Sequence, residues 1–241
     1  MKLLQFSNFK KTMVKSPIAE MAQANYEQLY ESVAQTLPPD ISIGGGDFDL
    51  VGKMTLDRLI GFGLLPKHTL FDFGCGTGRL AKFATSYLDE GNFFGSDISK
   101  TMLLHCSKIL KSQNKKFTLY HQIEYTFPQR TDGYDMFSAF SVFTHMEHED
   151  IYNYLLAARS QSHKNTKFVA SILDIKKGFG KKVFLNSAAL LPSDRWNQVK
   201  NVVTSIELFT EISKLSGWKI LEWLPAGDED GAQSVAVMEQ H

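Results

Sequence analysis

Apolar and polar positions along the chain of 241 residues change rhythm several times, and each change marks an element. Residues 17–36, "PIAEMAQANYEQLYESVAQT", read as a helix opened by a proline and closed before Pro38-Pro39. The glycine-rich connector "DISIGGGDFDLVG" (40–52) follows, and "GKMTLDRLIGFGLL" (52–65) predicts a second helix. Strand and helix patterns then alternate. "TLFDF" (69–73) reads as a buried strand and "RLAKFATSYL" (79–88) as its helix. "NFFGSDI" (92–98) is paired with "KTMLLHCSKILKSQ" (100–113), and "KFTLYHQI" (116–123) is a third strand. "YDMFSAFSVF" (134–143) leads into the helix "EDIYNYLLAARSQ" (149–161), and "KFVASILDI" (167–175) is the fifth strand.

Strands that alternate with helices imply right-handed crossovers and a parallel sheet covered on both faces. The fold class is therefore α/β, Rossmann-like and doubly wound. The end of the chain departs from this rule. After the helix "SIELFTEISKLSG" (205–217), the strands "WKILEWLPA" (218–226) and "QSVAVMEQ" (233–240) are joined by the acidic turn "GDEDG", which predicts an antiparallel hairpin at the sheet edge. Residues 176–203 fit neither rhythm. Long insertions in compact domains are usually functional, so this segment is expected on the substrate side. The expected division is a helical N-terminal extension or lid over 1–50 and one domain over 51–241.

Composition narrows the function classes. Lys+Arg and Asp+Glu both number 26, so the formal net charge is zero. This argues against a protein held on nucleic acid by a broad basic surface. The two cysteines, Cys75 and Cys106, form neither a disulfide framework nor a zinc knuckle. No apolar run is long enough to span a bilayer, and the N-terminus lacks the apolar core of a signal peptide. A cytoplasmic protein without a membrane partner is expected.

The chemistry concentrates in "LFDFGCGTGRL", residues 70–80. Gly74, Gly76 and Gly78 alternate there, with Asp72 just before them. A phosphate-binding P-loop closes on Lys-Ser/Thr, whereas Gly78 is followed by Arg79-Leu80. A dinucleotide loop has a third small residue where Arg79 stands. A carboxylate at Asp72 repels a pyrophosphate but suits a cation. S-adenosylmethionine (SAM) is such a ligand, with a sulfonium, an ammonium and no phosphate. Asp97, about twenty residues beyond the loop, occupies the place of an acid that accepts hydrogen bonds from ribose hydroxyls. Its other reading is a cap for the helix from residue 100.

"LFDFGCGTGRLAKF", "GSDISKTML" and "YDMFSAFSVFTHM" together resemble the class I SAM-dependent methyltransferases, from about Thr69 to the C-terminus. The resemblance implies a seven-stranded sheet whose last strand is antiparallel. It also implies that Asp72, Gly74, Gly76 and Gly78 form the methionine and ribose loop, that Asp97 takes the ribose hydroxyls, and that Ile98 and Met102 pack on adenine. In "HQIEYTFP" the family often has an acid for the adenine amino group; here Gln122, followed by Ile123, stands there, and a glutamine carbonyl also accepts. Phe140 meets the methionine amino group through its backbone, and Arg79 pairs with the methionine carboxylate or is simply solvated.

For the acceptor, the richest polar cluster is "FTHMEHED", 143–150. His145 is the candidate general base, with a helix-capping or packing role as the alternative. His145, Glu147 and His148 lack the H-E-x-x-H spacing, so no metal is expected. Tyr26 and Tyr30 share a helix face and are candidates for a lid. Lys176, Lys177, Lys181 and Lys182 could draw in an anionic substrate, and Phe184 and Trp196 could line its pocket. The stretch after strand four reads "FSVF", unlike the N/D-P-P-Y of methylases acting on adenine or glutamine amino groups. The expected activity is methyl transfer from SAM to a small molecule, with a non-catalytic SAM-binding scaffold or sensor as the alternative.

Overall fold

A computed structural model describes residues 17–241 apart from 197, 228 and 230; the side chains of residues 17–26 and of Trp196 are also outside the description. The expectations for Tyr26 and Trp196, for Asp228 and Asp230 of the acidic turn, and for residues 1–16 of the N-terminal extension therefore lie outside the described residues.

The sheet is built from β1 (Leu70–Phe73), β2 (Phe93–Asp97), β3 (Thr118–His121), β4 (Tyr134–Ala139) and β5 (Ser162–Asp174), followed late in the chain by β6 (Val203–Thr204), β7 (Trp218–Leu224) and β8 (Ser234–Gln240). The helices are α1 (Pro17–Thr36), α2 (Phe48–Gly61), α3 (Ala81–Tyr87), α4 (Lys100–Ser112), α5 (His148–Ser160), α6 (Gly178–Ala188), α7 (Pro192–Trp196) and α8 (Ile206–Leu215). Strand order is β3-β2-β1-β4-β5-β8-β7, with the short β6 paired to the end of β5. β1 to β5 are mutually parallel, and β8 runs antiparallel between β5 and β7. This is the α/β, seven-strand pattern with an antiparallel strand near one edge, and the hairpin closes that edge with β7 outermost.

Each face of the sheet buries its own core. One packs Leu56 and Leu59 of α2, Ala81 and Ala84 of α3 and Leu110 of α4 against Leu70, Met136 and Val237. The other is aromatic: Phe71, Tyr134, Phe137, Phe168 and Trp218 meet Tyr154 of α5 and Phe209 of α8. Rings such as Phe137 and Phe168 stack 5.5 Å apart. The strands are apolar on both sides because both sides are covered. Strand order reverses between the parallel neighbours β1 and β4, so the connections after these two strands part and leave a crevice at their carboxyl ends.

Three sequence-based boundaries move. Helix α2 begins at Phe48, four residues before the expected start at Gly52, because Asp47 caps it by accepting from the Leu50 amide at 2.8 Å. Strand β4 stops at Ala139 instead of Phe143, since Ser141 turns the chain with φ of 56°. The segment 176–203 contains α6 and α7 and so is a helical connection. Among the described residues, no helix is long and apolar enough to cross a membrane.

Candidate active site

The crevice at the strand ends opens into a cavity of ≈1110 Å³. It is walled by the ends of β1, β2, β4 and β5, by the connector 41–46, and by side chains from α1, α2, α6 and the β7–β8 turn. Gly74, Gly76, Arg79, Asp97, Ile98, Met102, Gln122, Phe140 and His145 all line it. The fold thus brings together nine of the candidates that the sequence singled out. Asp72, Gly78 and Ile123 do not line it; Asp72 lies beneath the loop, Gly78 behind it, and Ile123 is exposed.

The loop after β1 is shaped by its glycines. Gly76 has φ of +54°, and a Cβ there would stand 2.8 Å from Ile43 Cγ2. Its amide donates to Asp97 Oδ2 at 2.8 Å, in a backbone conformation that favours glycine. Gly78 serves packing instead: a Cβ would come within 3.2 Å of the Cys106 Cα on α4.

Asp97 is buried, and its Oδ1 accepts from the Ser99 amide at 2.9 Å. The cap of α4 is not Asp97 but Ser99, whose hydroxyl accepts from the Met102 amide at 3.1 Å. Each carboxylate oxygen has a second lone pair, so Asp97 keeps acceptor capacity toward the cavity. Burial raises its pKa to about 6, against the lowering effect of its amide donors. Asp72 is pushed further, to about 7, by burial; the Ser138 hydroxyl, 2.8 Å from Oδ1, opposes this and the charge of Asp97 adds to it.

Gln122 is buried, and its side-chain NH₂ donates to the carbonyls of Glu124, at 2.8 Å, and Thr126. Carbonyls cannot donate, so this orientation of the amide is fixed, and Oε1 is its remaining acceptor. Arg79 donates from Nη2 to the Gly45 carbonyl at 2.6 Å and lies over Phe48. It pins the connector above the loop, and burial lowers its pKa.

His145 ends a short 3₁₀ turn, Phe143–His145, and its Nδ1 lies 2.8 Å from the Lys200 carbonyl. A carbonyl only accepts, so Nδ1 carries the proton and the neutral ring has its lone pair at Nε2. Burial lowers the His145 pKa below 6.5, partly offset by the Lys200 carbonyl. Tyr30 of α1 stands edge-on to this imidazole at 5.9 Å.

Several contributors were not read from sequence. Glu31 of α1 accepts from the Ser99 hydroxyl at 2.7 Å and from the Thr101 amide at 3.2 Å, which docks α1 on the start of α4. Burial raises its pKa, but these hydrogen bonds outweigh that and bring it to about 2. Ser141, Ser171 and Gln233 form a closed ring: the Ser141 amide donates to Ser171 Oγ (2.8 Å), Ser171 Oγ to Gln233 Oε1 (2.6 Å), and Gln233 Nε2 to Ser141 Oγ (2.9 Å). This ties the ends of β4 and β5 to the start of β8. Phe179 and Val183 line the cavity from α6, whereas Phe184, expected there, points to solvent. Helical spacing explains it, since position 184 lies roughly 140° around the helix from 179. Among the described residues, no three His, Cys, Asp or Glu side chains are grouped to hold a metal.

A loop of glycines faces a buried acid on the next strand, at the reversal of strand order in an α/β sheet. Residues 70–162, from β1 to the start of β5, match the family model of the methyltransferase domain. Over that stretch the chain carries a methyltransferase domain. Its fold is shared with magnesium protoporphyrin IX methyltransferase (ChlM) from Synechocystis PCC 6803 with bound SAH, at a TM-score of 0.67 and 16% identity, covering 91% of this chain and 100% of that one. The PH0226 protein from Pyrococcus horikoshii OT3 aligns with a TM-score of 0.66 and 15% identity over 87% of this chain and 99% of its own. The DhpI-SAH complex aligns with a TM-score of 0.62 and 14% identity over 91% and 97%.

Proposed function

We propose that this methyltransferase acts on a small molecule held in the same cavity as SAM, beside the end of β4. The observation that carries this reading is the size and lining of the cavity. Drug-sized ligands occupy pockets of roughly 300–1,000 Å³. A volume of ≈1110 Å³ leaves space beyond SAM, and the walls there are largely apolar: Met54, Leu173, Phe179, Val183 and Leu224. ChlM and DhpI share the fold and were crystallised with SAH, which supports the same donor pocket here.

In this reading Asp97 holds the ribose hydroxyls while Gly76 brings backbone against the sugar. Ile98 and Met102 flank adenine, and Gln122 Oε1 accepts from its amino group. Gly74, Phe140 and Arg79 hold the methionine end. Asp72 and Asp97 supply negative charge near the sulfonium, which a poorly screened cleft makes effective. The segment before residue 51 acts as a lid through α1, and residues 51–241 form the catalytic domain, with α6 and α7 on the acceptor side.

Transfer is an in-line displacement. The acceptor lone pair forms a bond to the methyl carbon as the carbon–sulfur bond breaks, and sulfur leaves as a neutral thioether. Alignment alone supplies ~7–11 kcal/mol. For a hydroxyl acceptor, His145 takes the proton at Nε2, giving a further ~10²–10⁴-fold.

The test is transfer from methyl-tritiated SAM to a cell extract, separated by size. Label in the low-molecular-weight fraction is expected. Label confined to protein or nucleic acid, with normal SAM binding, would overturn the small-molecule reading.

A further inference from the structure

Helix α6 presents two different faces. Phe179 and Val183 look into the cavity, and Gly180 is pressed so closely on β5 that a Cβ there would lie 2.1 Å from the Asp174 carbonyl oxygen. The opposite face carries Lys181, Phe184, Leu185 and Ala188, all exposed. Phe184 is 47% exposed and Leu185 54%, and Leu191, at the turn into α7, is 67% exposed. A large aromatic and two leucines turned outward on one short segment mark a surface that meets something apolar.

Along residues 175–193 the charge has one sign. Lys176, Lys177, Lys181 and Lys182 fall within seven residues, and no acid occurs between Asp174 and Asp194. Lys176 pairs with Glu207. Lys177 and Lys181 have no ion-pair partner among the described residues.

We propose that the outer face of α6, with Leu191, docks the protein on an anionic lipid surface. Phe184, Leu185 and Leu191 enter the boundary between headgroups and acyl chains, and the lysines meet the headgroup phosphates. Basic and apolar side chains side by side are the signature of such contacts. A second copy of the chain fits this face less well, because a two-fold contact would set lysines against lysines. The sequence-based expectation of no membrane partner rested on the lack of a spanning run, and a surface contact needs no span. Since the same helix lines the cavity, α6 becomes the wall between the acceptor site and the bilayer.

The experiment is flotation of the full chain with phosphatidylcholine vesicles, with or without about 30 mol % phosphatidylglycerol, at low and high salt. Flotation only with the anionic vesicles, weakened by salt, is expected. The variant Phe184→Ser/Leu185→Ser should lower the bound fraction by ~10-fold or more, and Lys177→Glu/Lys181→Glu should remove the preference for anionic lipid. Both should bind SAM as the wild type does, which separates this proposal from the reading of the cavity. If the serine variant fails to fold, the glutamate variant carries the test alone. Absence of flotation with either vesicle, or flotation unchanged in the variants, would overturn the proposal. So would a wild-type dimer, seen by sedimentation, that the serine substitutions dissociate.

Discussion

The amide of Gly76 donates to Oδ2 of Asp97 over 2.8 Å, so the loop after β1 and the end of β2 form one hydrogen-bonded unit. On the proposed reading, cofactor recognition and loop shape are coupled through that bond. Asp97→Ala removes the acceptor of two backbone amides as well as the proposed partner of the ribose. Hydrogen bonds to a charged group contribute about 1.5–3 kcal/mol, so SAM should bind roughly 10–150-fold more weakly, with a lowered Tm. Calorimetric titration of a folded variant with unchanged affinity would remove the ribose assignment.

Gly76→Val adds a side chain at φ of +54°, where a Cβ alone would stand 2.8 Å from Ile43 Cγ2. Backbone strain and bulk both act on the face turned toward the ligand. SAM binding should be lost while the far sheet edge is unaffected. The check is equilibrium dialysis with labelled SAM, together with circular dichroism; retained binding would make the loop an ordinary turn.

Asp72 makes stability depend on pH in an unusual direction. Its pKa in the fold is about 7, and that of Asp97 about 6, both far above an unfolded value near 3.8. Between roughly pH 4 and 7 the native chain holds protons that the unfolded chain has released, so stability is greatest at the acid end of this window and falls as pH rises. Asp72→Asn should flatten the upper part of that slope, as read from urea midpoints at intervals between about pH 5 and 8. A sulfonium favours the ionised carboxylates, so affinity for SAM relative to the neutral thioether SAH should increase over the same range. A parallel pH dependence for the two ligands would count against the electrostatic role.

Glu31 holds α1 on the residues that begin α4, through Ser99 and Thr101. Glu31→Ala should loosen α1 without disturbing the sheet. Faster proteolytic cutting within residues 17–36 and faster SAM release are expected, both measurable by stopped-flow exchange and timed digestion. Release at the wild-type rate would deny α1 a closing role.

His145 lines the cavity, and its Nδ1 faces the Lys200 carbonyl. With a hydroxyl acceptor, His145→Ala should keep SAM affinity and lower single-turnover transfer by ~10²-fold or more. The wild-type rate should rise with pH through an imidazole pKa below 6.5, the direction that burial sets. The variant should lack that limb. Equal rates and equal profiles would leave His145 as a packing residue beneath Tyr30.

Much of this arrangement was legible in the chain because it depends on local chemistry. Pro17 and Pro38 bracket α1 because proline suits a helix start and ends a helix before it. Asp72, the three glycines and Asp97 stand out in the chain because glycines at this spacing shape the turn after a strand and an acid follows about twenty residues on. The parts that were missed depend on distant partners. Gly178 and Gly180 made α6 look like a loop, yet Gly180 is small because the Asp174 carbonyl presses on it. Ser141, Ser171 and Gln233 are separated by 30 and 62 positions, and no spacing rule joins them. Asp47 was read as part of a connector, although its carboxylate starts a helix.

The antiparallel strand β8 fills the gap between β5 and β7, pairing Lys167–Ile172 with residues 234–239. A ribosome therefore delivers last the strand that joins β7 to the rest of the sheet. While residues 175–233 are being synthesised, the nascent chain carries β5 with an open edge of Phe168, Val169, Ala170 and Ile172. That edge is a template for pairing with another nascent strand, so successful biogenesis depends on shielding it until translation has passed residue 240.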